Sequence, residues 1–140
     1  MKIRAGFVSN SSSSSFVLKG YLVDELDVQK AISFVRENYP EIYERVSAYE
    51  NSLDEGFLRE CVDSLPILIE QGDSYNGIPN GDWFIGKVLQ ETDESLYLDN
   101  EIIDFQPSND LDALKEYFGI ASEIKVIVGT REAWRYVMVL

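Results

Sequence analysis

The spacing of apolar residues changes period along the chain. Ile3 to Val8 and Phe16 to Val23 are rich in strand-forming residues and predict two strands, with Ser11 to Ser15 placed between them to close a hairpin. From Val28 the period becomes helical. Val28, Ala31, Ile32 and Val35 share one face, after Asp24, Glu25 and Asp27, whose charge suits the positive end of a helix dipole. Pro40 interrupts that helix and can open another, carrying Ile42, Val46 and Tyr49. A capping box, Ser52-x-x-Glu55, predicts a third helix whose face is Phe57, Leu58, Cys61, Val62 and Leu65.

The second half changes character. Pro66 to Glu70 fits a short strand, and the stretch QGDSYNGIPNGDW after it, with Gly72, Gly77, Gly81 and Pro79, must be a loop. Trp83 to Leu89 and Ser95 to Leu98 predict strands around an acidic turn, Glu91 to Glu94. Asn109 can cap a helix bearing Leu111, Leu114, Tyr117 and Phe118, which Gly119 ends. Ile124 to Val128 and Trp134 to Leu140 predict strands, joined at Gly129-Thr-Arg-Glu-Ala133 as an antiparallel hairpin. Helix and strand signals are segregated, not alternating. The expected fold is therefore α+β: one domain over 1–140, a mainly antiparallel sheet and about four short helices. Within it, 1–23 forms a hairpin-like leader, 24–65 a helical segment, and 66–140 strands with one helix.

Composition supports a packed domain, since 140 residues with 45% hydrophobic content can bury a core. No run nears the roughly 20 apolar residues of a membrane span, and MKIRAGFV is too short for a signal-peptide core. With a single cysteine, a cytoplasmic setting is expected, where the sequon Asn10-Ser11-Ser12 would not be read. Charge adds more. Of the formal net −13, residues 1–20 contribute +3 and 111–140 nothing, so 21–110 carries 21 acids against five bases. Such a field repels nucleic acid and anionic membrane and attracts basic protein surfaces or cations.

Candidate chemistry is narrowed by the absence of histidine, which removes the commonest general base, Ser-His and Cys-His pairs and His-ligated metals. Cys61 lies on an apolar helix face and reads as core. Gly81-x-x-x-x-Gly86-Lys87 mimics a phosphate-binding loop but fails, because Val88 offers no hydroxyl to Mg²⁺ and Trp83, Phe84 and Ile85 replace a bare turning backbone. Carboxylates at Asp73, Asp82, Asp93, Glu94, Asp99, Glu101 and Asp104 could converge on Mg²⁺ or Mn²⁺, but their spacing gives this little support and a solvated acidic surface is the default. Tyr75, Asn76 and Trp83, in or beside the long loop, are candidates for protein recognition, with Trp83 reading equally as the first core residue of its strand. Arg131, Trp134 and Arg135 could offer a stacking and anion-binding group, with a core role for Trp134 the alternative. No cofactor is implied.

The opening twenty residues, MKIRAGFVSNSSSSSFVLKG, are specific in another way. Gly6-Phe7-Val8-Ser9-Asn10 and the stretch Ser11, Ser12, Ser13, Ser14, Ser15, Phe16 resemble a leader found on small uncharacterised proteins of bacteriophages and prophages, mostly of Gram-positive hosts. The resemblance ends at Gly20. It implies a phage setting and no activity, since proteins sharing the leader have diverse bodies. Physically, serine hydroxyls can bond backbone where chains pack closely, so an ordering or assembly role is expected for the run.

Two classes of function follow. One is a non-enzymatic interaction protein whose acidic stretch occupies a basic groove of a host protein that handles nucleic acid or mounts defence, without binding nucleic acid or membrane itself. The other is a metal-dependent hydrolase or nucleotide-binding protein built on the carboxylates with Arg131 or Arg135. A melting temperature raised by Mg²⁺ or Mn²⁺ would mark the second. A virion or assembly component, marked by self-association, is a third.

Overall fold

The computed structural model describes residues 13–62, 64–72, 78–92 and 104–132. They form β1 (Ser13–Val23), α1 (Val28–Asn38), α2 (Pro40–Ser47), α3 (Glu55–Cys61), β2 (Leu68–Gln71), β3 (Trp83–Thr92), α4 (Asn109–Phe118) and β4 (Lys125–Glu132). The strands make one antiparallel sheet in the order β2-β3-β1-β4. The fold is α+β, as the segregated signals predict.

Strand alternation gives the sheet two apolar faces. Tyr21, Ile69, Trp83 and Ile85 project to one side, where Ala31, Ile32, Phe34 and Val35 of α1, Val46 of α2, Phe57 and Leu58 of α3, and Leu111 and Leu114 of α4 cover them. All four helices thus pack on the same face. The buried Tyr21 hydroxyl donates to the Leu111 carbonyl at 3.1 Å, tying α4 to the central strand. On the other side Phe16, Leu18, Leu68 and Phe84 form a second cluster with Val62 and Ile78. Ile78 thereby anchors the long loop, whose neck is closed by Gly72 N–H donating to the Asp82 carbonyl at 2.7 Å.

At the centre of the sheet Gly20 stands opposite Gly86, and the Phe84 ring lies over the pair. A bulge follows, because Val17 pairs with Gln90 while Leu18 pairs with Val88, which leaves Leu89 as the extra residue.

Several boundaries differ from the sequence expectation, each for a local reason. Ser13, Ser14 and Ser15 are strand residues, paired with Glu132, Arg131 and Thr130 of β4. β3 and β4 lie on the two sides of Phe16–Gly20. The proposed partner, residues 3–8, falls outside the described residues, as do Ser11 and Ser12. The turn expected at Gly129-Thr-Arg-Glu is instead the second half of β4, carried through by its pairing to β1. Likewise β3 continues to Thr92, into the stretch expected to turn.

Helix starts move by a residue or two. α3 is capped by Asp54, whose Oδ1 accepts from Gly56 N–H at 2.8 Å, and not by Ser52. α4 is capped by Ser108, whose hydroxyl accepts from Leu111 N–H at 3.4 Å, one residue before Asn109. Asp27 caps α1 by accepting from Lys30 N–H at 3.1 Å, and Gly119 ends α4 with a φ of 63°, the left-handed conformation that favours glycine.

Candidate functional site

Charge in this fold sorts by layer. Residues 24–62 and 104–120, the helices with their connections, hold 14 acids against five bases. The four strands hold Glu70, Glu91 and Glu132 against Lys19, Lys87, Lys125 and Arg131. The sheet is close to neutral, while the helices covering one of its faces hold eight acids against five bases and become strongly negative with their connections. The reason is amphipathicity: each helix turns its apolar stripe into the cluster around Tyr21, Trp83 and Ile85, so its polar positions point away from the sheet, and most of the exposed acids of the connections lie beside them.

The cations of this layer do little to offset it. Arg36 sits 5.9 Å from the centre of the Tyr43 ring and donates to the Ser33 hydroxyl, and Lys30 lies 5.6 Å from the Tyr117 ring. Lys115 lies 5.6 Å from the Tyr21 ring and donates to the Ser122 carbonyl, while Arg45 donates to the Ser64 hydroxyl at 2.8 Å. Rings, hydroxyls and a carbonyl thus engage four of the five. One ion pair between described residues, Lys87 to Asp110 at 3.1 Å, joins the sheet to the start of α4. Both partners are at least one-third exposed, so the pair is worth at most about 1 kcal/mol. The remaining carboxylates of the helices face water with their attraction for external cations intact, screened over about 8 Å at physiological salt.

Individual candidates fall as follows. Trp83 is buried beneath the helices in the first position of β3, which removes it from the exposed surface of the loop. Asp82 closes the loop neck through its carbonyl, and Asp104 is exposed, its Oδ1 accepting from Gln106 N–H at 2.9 Å. Phe16 is core. Lys87, from the rejected phosphate-loop motif, is half-buried and engaged with Asp110. Asp73, Tyr75, Asn76, Asp93, Glu94, Asp99 and Glu101 lie outside the described residues, as do Trp134 and Arg135. Among the described residues no group of three or more Asp, Glu, Cys or His is placed to hold a metal ion, and no helix is long and apolar enough to cross a membrane. The signal that sequence reading missed is the partition of acids by element, which needs the strand boundaries to be seen.

Cys61 is fully buried, and burial, helped by the nearby Glu60 carboxylate, pushes its thiol up to about 12. The native protein is therefore expected to resist a thiol-specific disulfide reagent at mild alkaline pH and to react fully in denaturant. A stability effect accompanies this. The unfolded chain releases the thiol proton near 9.0 while the folded chain keeps it to about 12, so folding stability is intact below that window and falls as pH rises through it. The slope is up to about 1.4 kcal/mol per pH unit, and Cys61→Ala should flatten it in urea titrations across that range.

Comparison of the chain with protein-family models, curated proteins and solved structures finds no match.

Proposed function

We propose that this chain is a non-enzymatic binding protein whose acidic helix layer docks on a basic surface of another protein, of the kind that otherwise holds nucleic acid. The observation that carries this reading is the charge of the helical segments counted with their connections, 14 acids against five bases, beside near balance in the strands. A surface that only needed solubility could spread its acids over every element. Carried by the helical segments on one face of the sheet, these 14 steer encounter with a positive partner and repel nucleic acid from the same place. The phage-like leader adds a setting, in which the partner is a protein of the bacterial host.

The test is capture of partners on immobilised protein from nuclease-treated bacterial lysate, with elution in rising salt and then competition with duplex DNA. The reading predicts nucleic-acid-binding proteins with basic grooves, released by moderate salt and displaced by DNA. Partners that hold through high salt and ignore DNA would contradict it. So would a melting temperature raised by Mg²⁺ or Mn²⁺, which would move the function to the carboxylates as metal ligands.

A further inference from the structure

The acidic layer carries two exposed apolar side chains on one short connection. Between α2 and α3, Tyr49 is 60% exposed and Leu53 42% exposed, while the apolar faces of the adjoining helices are turned inward. The backbone that carries them is held at both ends. The amides of Tyr49 and Glu50 both donate to the Val46 carbonyl, at 3.1 and 2.9 Å, and Gln29 Nε2 of α1 donates to the Leu53 carbonyl at 2.7 Å. The Tyr49 hydroxyl reaches Glu60 Oε1 on α3 at 3.5 Å. Two apolar groups are therefore displayed from a tethered backbone.

Carboxylates frame the pair. Glu50 and Asp54 converge at the start of α3, where a Cβ on Gly56 would lie 3.1 Å from Asp54 Oδ1 and 3.7 Å from Glu50 Oε2. Glu60 stands beside the Tyr49 hydroxyl, and the nearest α2 cation, Arg45, is engaged with Ser64. We infer that this connection is the gripping point of the layer, and that its occupant is a basic segment of a protein partner that presents apolar side chains between its lysines or arginines. The inference rests on the binding function proposed above and adds the chemistry of the partner. Other occupants fit the charges badly. A nucleic acid or an anionic bilayer meets Glu50, Asp54 and Glu60 with like charge, and a second copy of this chain brings the same negative layer. A basic, partly apolar segment satisfies both features, since burial of Tyr49 and Leu53 adds an attraction that salt does not screen.

The experiment compares two fluorescent probes on the full chain by anisotropy at two salt concentrations: an oligolysine, and a peptide of equal charge with leucines interspersed among its lysines. The wild type is expected to prefer the leucine-containing peptide by about tenfold. Tyr49→Ser with Leu53→Ser is expected to abolish the preference, leaving oligolysine binding and the urea midpoint unchanged because both side chains are exposed. Phe105→Ser, at an exposed apolar residue ahead of α4, serves as the control and should keep the preference. A preference that is absent, or that survives the double substitution while oligolysine still binds in a salt-dependent way, overturns this inference and leaves the acidic docking layer standing. If neither probe binds, both fall.

Discussion

Gly86→Val is expected to abolish cooperative folding. Gly86 sits in the middle of β3, opposite Gly20 of β1 and Leu68 of β2, and a Cβ there would lie 2.4 Å from the Lys19 carbonyl oxygen, 2.7 Å from Gly20 Cα and 2.8 Å from Phe84 Cζ. The first two are backbone atoms of the central strand. They can withdraw only if β1 and β3 part, and that pairing carries the whole sheet. Overpacking in a core typically costs 1–3 kcal/mol where side chains can yield, so a clash with fixed backbone on this scale, about 4 kcal/mol or more, consumes much of an ordinary domain's stability. Gly81→Ala is the informative contrast. Nothing lies within 4 Å of a Cβ at Gly81, but its φ of 91° strains any L side chain, so a loss of roughly 1–2 kcal/mol with folding retained is expected. Urea unfolding followed by circular dichroism measures both. A native-like midpoint for Gly86→Val would mean that β1 and β3 are not in this register.

Phe84→Ala is the second large effect, with an expected loss of about 3–5 kcal/mol. The ring is fully buried against Phe16, Leu18, Leu68 and Ile78, and it also lies over the bare backbone of Gly20 and Gly86. An aromatic ring over a glycine pair replaces the contacts that two absent side chains would have made. Its removal therefore opens a void walled by main chain on one side, which collapses poorly, and this puts the expected cost in the upper part of the range. A double-mutant cycle checks the geometry. In the Phe84→Ala background, Gly86→Ala loses its contact with Cζ but keeps the 2.4 Å approach to the Lys19 carbonyl, so relief should be partial, on the order of 1 kcal/mol. Full relief would show that the ring, and not the neighbouring strand, is what glycine accommodates.

How far the fold was legible in the sequence depends on the range of the interaction involved. The faces of α1, α3 and α4 follow from side chains three and four apart, and the stop at Gly119 from one residue's backbone preference; both are local. Ser13–Ser15 and Thr130–Glu132 carry the opposite local message, both reading as turn or loop, yet they pair with each other across more than a hundred residues of chain. Strand preference reflects the partner as much as the residue, and the partner was invisible. Caps shifted from Ser52 to Asp54 and from Asn109 to Ser108 because neighbouring residues of equal capping strength compete within a two-residue window. Trp83 read equally as core or as surface until β3 placed it under the helices. The negative bias of residues 21–110 was plain, but that 12 of its 21 acids belong to the helical segments, and only two to β2 and β3, required knowing where the strands lie.

The central claim, that the helix layer is the docking surface, is tested most directly by removing equal charge from two places. One variant carries Glu41→Gln, Glu44→Gln, Glu55→Gln and Glu116→Gln, all exposed on α2, α3 and α4. The other carries Asp93→Asn, Glu94→Gln, Asp99→Asn and Glu101→Gln. Kd for the captured partner is then measured for both across a range of salt. The helix-layer variant is expected to bind about tenfold more weakly or worse, with a flatter dependence on salt, and the second variant to change by no more than about twofold. Equal losses in the two, or a loss confined to the second, would contradict the account.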